Sequence, residues 1–134
     1  MKKIIFILGI LIFNSCEWSA TENYIIDNQT EYEISVNFTI TEWIGAEPET
    51  FSVSILPQSI EFLHKIETIY AFLSNEEVDF LHEFDTIIVD VNDTIEISKN
   101  INNYLNWEYN RVNNRVSADN CHKFIIRESD LVIK

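Results

Sequence analysis

The sequence predicts an all-β protein, an antiparallel two-sheet sandwich that is Ig-like in the broad sense, and three observations predict it. Residues 32–40 set Tyr32, Ile34, Val36, Phe38 and Ile40 against Glu33, Ser35, Asn37 and Thr39, the period-two alternation of a strand with one buried and one wet face. Shorter runs of the same kind recur between turn residues, roughly seven or eight strands in all, and strands with one solvated face belong to antiparallel sheets. No internal repeat, coiled coil or low-complexity tract competes with them.

The chain opens MKKIIFILGILIFNSC. Lys2 and Lys3 precede an uncharged apolar run at residues 4–13, which as a helix would rise about 15 Å, half the roughly 30 Å of a hydrocarbon core. The run is too short to span and has the order of an export signal: charge, then hydrophobicity, then a cleavable neck. That neck is Phe13-Asn14-Ser15-Cys16 and lacks an A-x-A-like site. A small residue directly before Cys resembles the lipobox of bacterial lipoproteins, with Phe13 where Leu is usual and Asn14 larger than the usual occupant. The resemblance covers sixteen residues and implies that diacylglycerol alkylates the Cys16 thiol, that the chain is cut before it, and that the new amino group is acylated. Each buried methylene contributes about 0.8 kcal/mol, so two or three acyl chains form a durable anchor. The expected organisation is a signal peptide at 1–15, a lipidated Cys16 with its tether at 16–23, and a sandwich domain at 24–134. The tether, EWSATEN at 17–23, is polar and aperiodic; seven residues reach about 25 Å at most.

Residues 24–27 make a brief apolar run, and Asn28-Gln29-Thr30 supply turn chemistry. The long strand at 32–40 follows. Phe51, Val53 and Ile55 alternate with Thr50, Ser52 and Ser54 until Pro57 stops them. Residues 60–66 predict a further strand. Ser74-Asn75-Glu76-Glu77 has capping-box spacing, and Val78 with Leu81 has helical spacing, so one short helix is expected in a crossover loop. FDTIIVDV points Ile87, Val89 and Val91 inward, with Ile88 hinting that the other face is partly covered. Asn92-Asp93 then predicts a tight turn into TIEIS, closing a hairpin. Trp107 and Tyr109 alternate in LNWEYNR, KFIIR at 123–127 is a late strand, and 129–131 reads as a turn or a short strand.

Cleavage before Cys16 removes 15 of 134 residues and leaves 119, enough for one domain with a real core. It also removes two of nine basic residues, so 7 face 22 acidic ones and the net charge is −15. Such a balance argues against nucleic acid and against lying flat on an anionic membrane, since both are polyanions. Residues 17–98 carry 18 acidic groups and one basic, Lys65, while residues 99–134 carry 4 acidic and 6 basic. With Cys16 lipidated, Cys121 has no intrachain partner and is either a buried small hydrophobe or a free thiol. The chain has 22 Ile and 14 Asn against 2 Gly and 2 Pro, and in this it resembles small lipoproteins of Bacteroidota.

Little in the sequence points to catalysis. His64, His82 and His122 lack an HxxxH, HxH or CxxC neighbour, so no metal or cofactor is expected. Asp90, Asn92 and Asp93 resemble a fragment of a calcium loop without its glycine and distal glutamate, and read as a turn. No glycine-shaped nucleophile elbow or phosphate-cradling loop is present, and with this many carboxylates a glycosidase-like pair would arise by chance. The expectation is therefore not an enzyme. Trp43 stands where the long strand meets the acidic loop GAEPE, a place for an interface anchor or a sugar platform, or for a Trp that closes the end of the core. The candidate binding residues are Trp43 with Glu42, Glu47 and Glu49, and the crossover residues Glu76, Glu77, Asp79 and Glu83, unless those carboxylates only keep the domain soluble. The expected protein is a lipid-anchored cell-envelope protein, on the outer membrane or the periplasmic face of the inner one, whose acidic sandwich is a binding or structural module. Its partners are the membrane, through the lipid on Cys16, and a cationic protein, with no nucleic acid. The first rival is an inhibitor or immunity-type lipoprotein that neutralises a cationic enzyme, and the second is a small hydrolase or sugar-binding module. Cys16→Ala is expected to abolish palmitate labelling and detergent-phase partitioning in expressing cells; a wild type that takes up no label would refute the anchor.

Overall fold

A computed structural model describes residues 19–41, 46–68, 84–113 and 117–134. Nine strands make up nearly all the regular structure: β1 (Ser19–Asn28), β2 (Ile34–Ile40), β3 (Glu49–Ile55), β4 (Ser59–Thr68), β5 (Phe84–Asp90), β6 (Ile95–Ile97), β7 (Trp107–Asn113), β8 (Ser117–Ile126) and β9 (Leu131–Ile133). They form a four-stranded sheet in the order β4-β1-β8-β7, a three-stranded sheet β3-β2-β5, and a two-stranded ribbon β6-β9. The fold is all-β and sandwich-like. One pair departs from the antiparallel expectation: β1 runs parallel to β8 over all ten residues, Ser19 beside Ser117 and Asn28 beside Ile126.

The core lies between the inner faces of the two larger sheets. From one come Tyr24, Ile26, Leu63, Trp107, Phe124 and Ile126, and from the other Ile34, Val36, Phe38, Ile40, Ile55, Phe84 and Ile87. Each such side chain contributes about 1.5–3 kcal/mol on burial. Aromatic edges join the layers. Tyr24 meets Phe84 at 4.9 Å and 88°, and Phe38 meets Phe84 at 5.5 Å and 79°, the edge-to-face geometry that ring quadrupoles favour. The Trp107 indole donates to the Ile101 carbonyl at 2.7 Å, so its polar atom is satisfied inside the core.

Several expectations change. Residues 19–23, read as tether, are the first half of β1, and Ala20 there is buried. The expected hairpin of 84–91 with TIEIS does not form: β5 pairs with β2, and β6 pairs with β9. The turn itself is present: Asn92 Oδ1 accepts from Thr94 N–H, Thr94 Oγ1 and Ile95 N–H, each at 2.9 Å, an Asx-type turn. Ile87, Val89 and Val91 do turn toward the core, whereas Ile88 is exposed. Cys121 is half-exposed on the outer face of β8 and is no core residue. Residues 129–131 divide between a 3-10 turn and β9. The short helix expected after Ser74 lies outside the described residues. In β4 the register slips between Tyr24–His64 and Ile25–Phe62, so Leu63 is an inserted residue that turns into the core while Phe62 faces out.

At the end of the sandwich where β1 stops, a buried carboxamide ties the sheets together. Asn28 Nδ2 donates to the carbonyls of Tyr32 at 2.7 Å, Leu56 at 3.0 Å and Ile55 at 3.3 Å. Its Oδ1 accepts from Thr30 N–H at 3.0 Å and Thr30 Oγ1 at 2.8 Å. Both Asn28 and Thr30 are fully buried. Gln58, at a left-handed φ of 56°, donates its N–H to the Thr30 carbonyl and its Nε2 to the Gln29 carbonyl, which holds the β3–β4 turn against the β1–β2 turn. Asn28→Ala removes the Asn28 donor from the buried Ile55 carbonyl and its acceptor from the Thr30 N–H, so a loss of about 3 kcal/mol is expected. Asn28→Asp should be at least as damaging, because it aims an acceptor at three acceptors. Urea midpoints at unchanged slope check both; a loss under about 1 kcal/mol for both variants would deny Asn28 this role.

Candidate functional site

The inner face of the four-stranded sheet changes character along its length, and the pairing of its strands assembles a polar cluster at one end. Parallel register sets Tyr24 beside His122 and Glu22 beside Asn120. Antiparallel register with β7 sets Tyr109 beside His122 and Arg111 beside Asn120. On the other side β4 brings His64 opposite Tyr24 and Ile66 opposite Glu22. Two rows therefore cross the sheet: His64, Tyr24, His122, Tyr109, and next to it Ile66, Glu22, Asn120, Arg111.

Within these rows His122 Nε2 meets Glu22 Oε2 at 2.7 Å, and Asn120 Nδ2 donates to Glu22 Oε1 at 2.5 Å. The Tyr109 hydroxyl donates to Asn120 Oδ1 at 2.8 Å, and Asn23 Nδ2 donates to the Asn120 carbonyl at 3.0 Å. The His122 ring stacks on Tyr24 at 4.9 Å and 15° and meets Tyr109 at 5.2 Å. His122 and Asn120 are buried, and the Glu22 side chain keeps 17% of its exposure. Burial pushes the Glu22 carboxyl up, but the hydrogen bonds from His122 and Asn120, with the positive charges of His122 and Arg111, outweigh it and hold the group below its ordinary 4.5. Glu22 is thus ionised at neutral pH and accepts the His122 Nε2–H.

A carboxylate that orients an imidazole is two parts of a hydrolytic triad. Cys121 lies on the opposite face of the same strand as His122. No group of three metal-binding side chains occurs among the described residues. Glu22 and Asn120 lie 98 positions apart, and a one-residue slip of β1 against β8 would send Glu22 to the outer face and strand His122 and Asn120. What the arrangement does chemically is fix that register.

Of the residues singled out in the sequence, Glu47 and Glu49 are described, and both are exposed. Glu49 opens β3 opposite Ile40. Cys16, Glu42, Trp43, Glu76, Glu77, Asp79, Glu83 and His82 lie outside the described residues. The flanks of both acidic segments leave from one end of the sandwich, since Ile40 pairs with Glu49 and with Phe84, while Thr68 pairs with Ala20 near the start of β1. His64 packs its ring near Phe38 and Phe84. Asn92 makes the turn read at 90–93. The cluster of Glu22, Asn120, His122 and Tyr109 was not anticipated, although the alternation Ala20, Glu22, Tyr24, Ile26, Asn28 carries the core face back through Glu22. No family model, curated protein or solved structure matches the chain.

Because the folded carboxyl of Glu22 titrates below the unfolded one, its stabilisation is fully present above about pH 4.5 and is lost as pH falls through the folded value. Glu22→Gln is expected to cost about 1.5–3 kcal/mol at pH 7 and to flatten the acid limb of the stability curve. Urea unfolding of both proteins between pH 2.5 and 7 checks this; parallel curves would show that Glu22 contributes no linked proton.

Proposed function

We propose that this chain is a lipid-anchored cell-envelope protein whose acidic sandwich is a binding module for a cationic protein partner. The observation that carries the proposal is the state of its carboxylates. Between described residues the ion pairs are Lys65–Glu67 and Glu22–His122, whereas Glu31, Glu33, Glu47, Glu49, Asp85, Asp90, Glu96, Asp119 and Glu128 stand exposed. Unspent charge of one sign on a rigid scaffold produces a long-range field, which raises the rate at which an oppositely charged partner arrives. The cost is self-repulsion, offset here by an apolar core that spans both sheets.

The anchor half of the proposal rests on the apolar run that ends at Ser15-Cys16. Since β1 begins at Ser19, a lipid on Cys16 would join the membrane to an inner strand of the larger sheet through a very short link. The acidic segments flanked by Thr41 and Ala46, and by Thr68 and Phe84, leave from that same end. A cationic enzyme held by those segments would make the chain an inhibitor or immunity-type lipoprotein.

Pull-down from solubilised envelope, followed by surface kinetics on what is captured, tests the proposal. Glu47→Lys with Glu49→Lys is expected to lower the association rate about tenfold at low salt, with the difference closing as salt rises. Capture of only acidic or neutral proteins, or an association rate indifferent to salt, would sink it.

A further inference from the structure

Past the end of β8 the β6-β9 ribbon reaches beyond the core. Ile97 and Leu131 pack against the core, while the next cross-strand pair on the same face, Ile95 and Ile133, runs on into a groove of about 240 Å³ lined also by Tyr32, Glu128, Leu131 and Val132. Ile133 is 87% exposed. Among the described residues no strand pairs with the outer edge of β9. Ser98 N–H donates to the Asp130 carbonyl and Lys134 N–H to the Thr94 carbonyl, so by the alternation of an antiparallel ladder Val132 turns its backbone groups toward β6 and Ile133 turns its own outward. The Leu131 N–H is spent on the Glu128 carbonyl, which leaves the Leu131 carbonyl and both Ile133 groups along the outer edge. Leu-Val-Ile carries neither charge nor proline, the usual protections of such an edge.

The rim supplies the sign of the ligand. Glu128 Oε1 accepts the Glu31 N–H at 2.7 Å, and the Glu128 and Glu31 side chains are both exposed. An anionic surface would meet repulsion from these carboxylates. A basic strand would not. The groove lies at the Asn28 end of β1, about 30 Å from Ser19, so tethering through Cys16 leaves it facing away from the bilayer.

Resting on the binding-module reading above, we propose that this groove takes an extended basic segment of the partner protein. The segment adds a strand to the outer edge of β9, sets alternate apolar side chains against Ile95 and Ile133, and presents Lys or Arg to Glu128 and Glu31. The probe is a fluorescein-labelled octapeptide of alternating lysine and valine, titrated by anisotropy against the purified full chain. It is expected to bind about tenfold more tightly than a glutamate–valine octapeptide, and about tenfold more tightly than the same lysine–valine peptide N-methylated at alternate residues, which keeps the charge and loses the edge hydrogen bonds. Glu128→Lys and Ile133→Lys should each weaken it about tenfold, whereas Glu67→Lys, on exposed β4, should change it less than about twofold.

Three results overturn the proposal: no binding by the lysine–valine peptide, equal binding by the N-methylated peptide, or a loss in Glu67→Lys that matches the loss in Glu128→Lys. Concentration-dependent dimers that Ile133→Lys abolishes would also overturn it, assigning the edge to a second copy. An envelope partner captured through Glu47 and Glu49, with Glu128→Lys and Ile133→Lys both silent, would defeat this inference and leave the binding-module reading standing.

Discussion

The carboxamide of Asn28 is the fastening on which the architecture depends. Two sheets packed face to face must bring their connecting turns together at an end that water cannot reach, and every carbonyl turned inward there needs a donor. Asn28 supplies donors to Tyr32, Ile55 and Leu56 and an acceptor to Thr30. It thereby joins the last residue of β1, the β1–β2 turn and the end of β3. A hydrocarbon would remove those donors, and a carboxylate would oppose the carbonyls. Beside this corner Ile34 pairs with Ile55, and they and Ile26 have no exposed surface.

From that corner the inner face of β1 runs Ile26, Tyr24, Glu22, Ala20, and each step meets a different solution to burial. Ile26 packs into hydrocarbon. Tyr24 combines area with ring geometry against Phe84, Trp107 and His122. Glu22 enters as a charge and stays one because His122 and Asn120 are hydrogen-bonded to it. A buried carboxylate is a poor source of net stability, since desolvation offsets much of what its partners contribute. Its value here is selective: an apolar β1 could slide along β8, and this one cannot without exposing three orphaned polar groups. The Asn28 corner and the Glu22 cluster pin the two ends of one strand.

Much of the sandwich was legible from alternation alone, because β2 and β5 have one wet face and one dry one and their residues record it. The strands that escaped did so for physical reasons. The first half of β1, Ser-Ala-Thr-Glu-Asn, reads as polar chain because its burial depends on partners about a hundred residues away. The ribbon is not legible because β6 pairs with β9, a strand beyond β8, and no local pattern names so distant a partner. In β3, Phe51 alternates as a core residue should, yet it stays partly exposed, since an edge strand has less of the facing sheet over it. The candidate site was legible only as charge. Glu47 and Glu49 could be named from sequence, whereas the Glu22 cluster depends on parallel register, which no local pattern encodes.

The parallel union of β1 with β8 also sets an order of events in time. Antiparallel neighbours such as β2 and β3 can meet soon after they are made, because only residues 41–48 separate them. β1 must wait for a partner about a hundred residues later, and until β8 emerges the larger sheet has no centre. Long-range pairing of this kind is slow. A nascent chain that cannot fold early remains a thread. A strand whose neighbour is made about a hundred residues after it thus acts as a built-in delay.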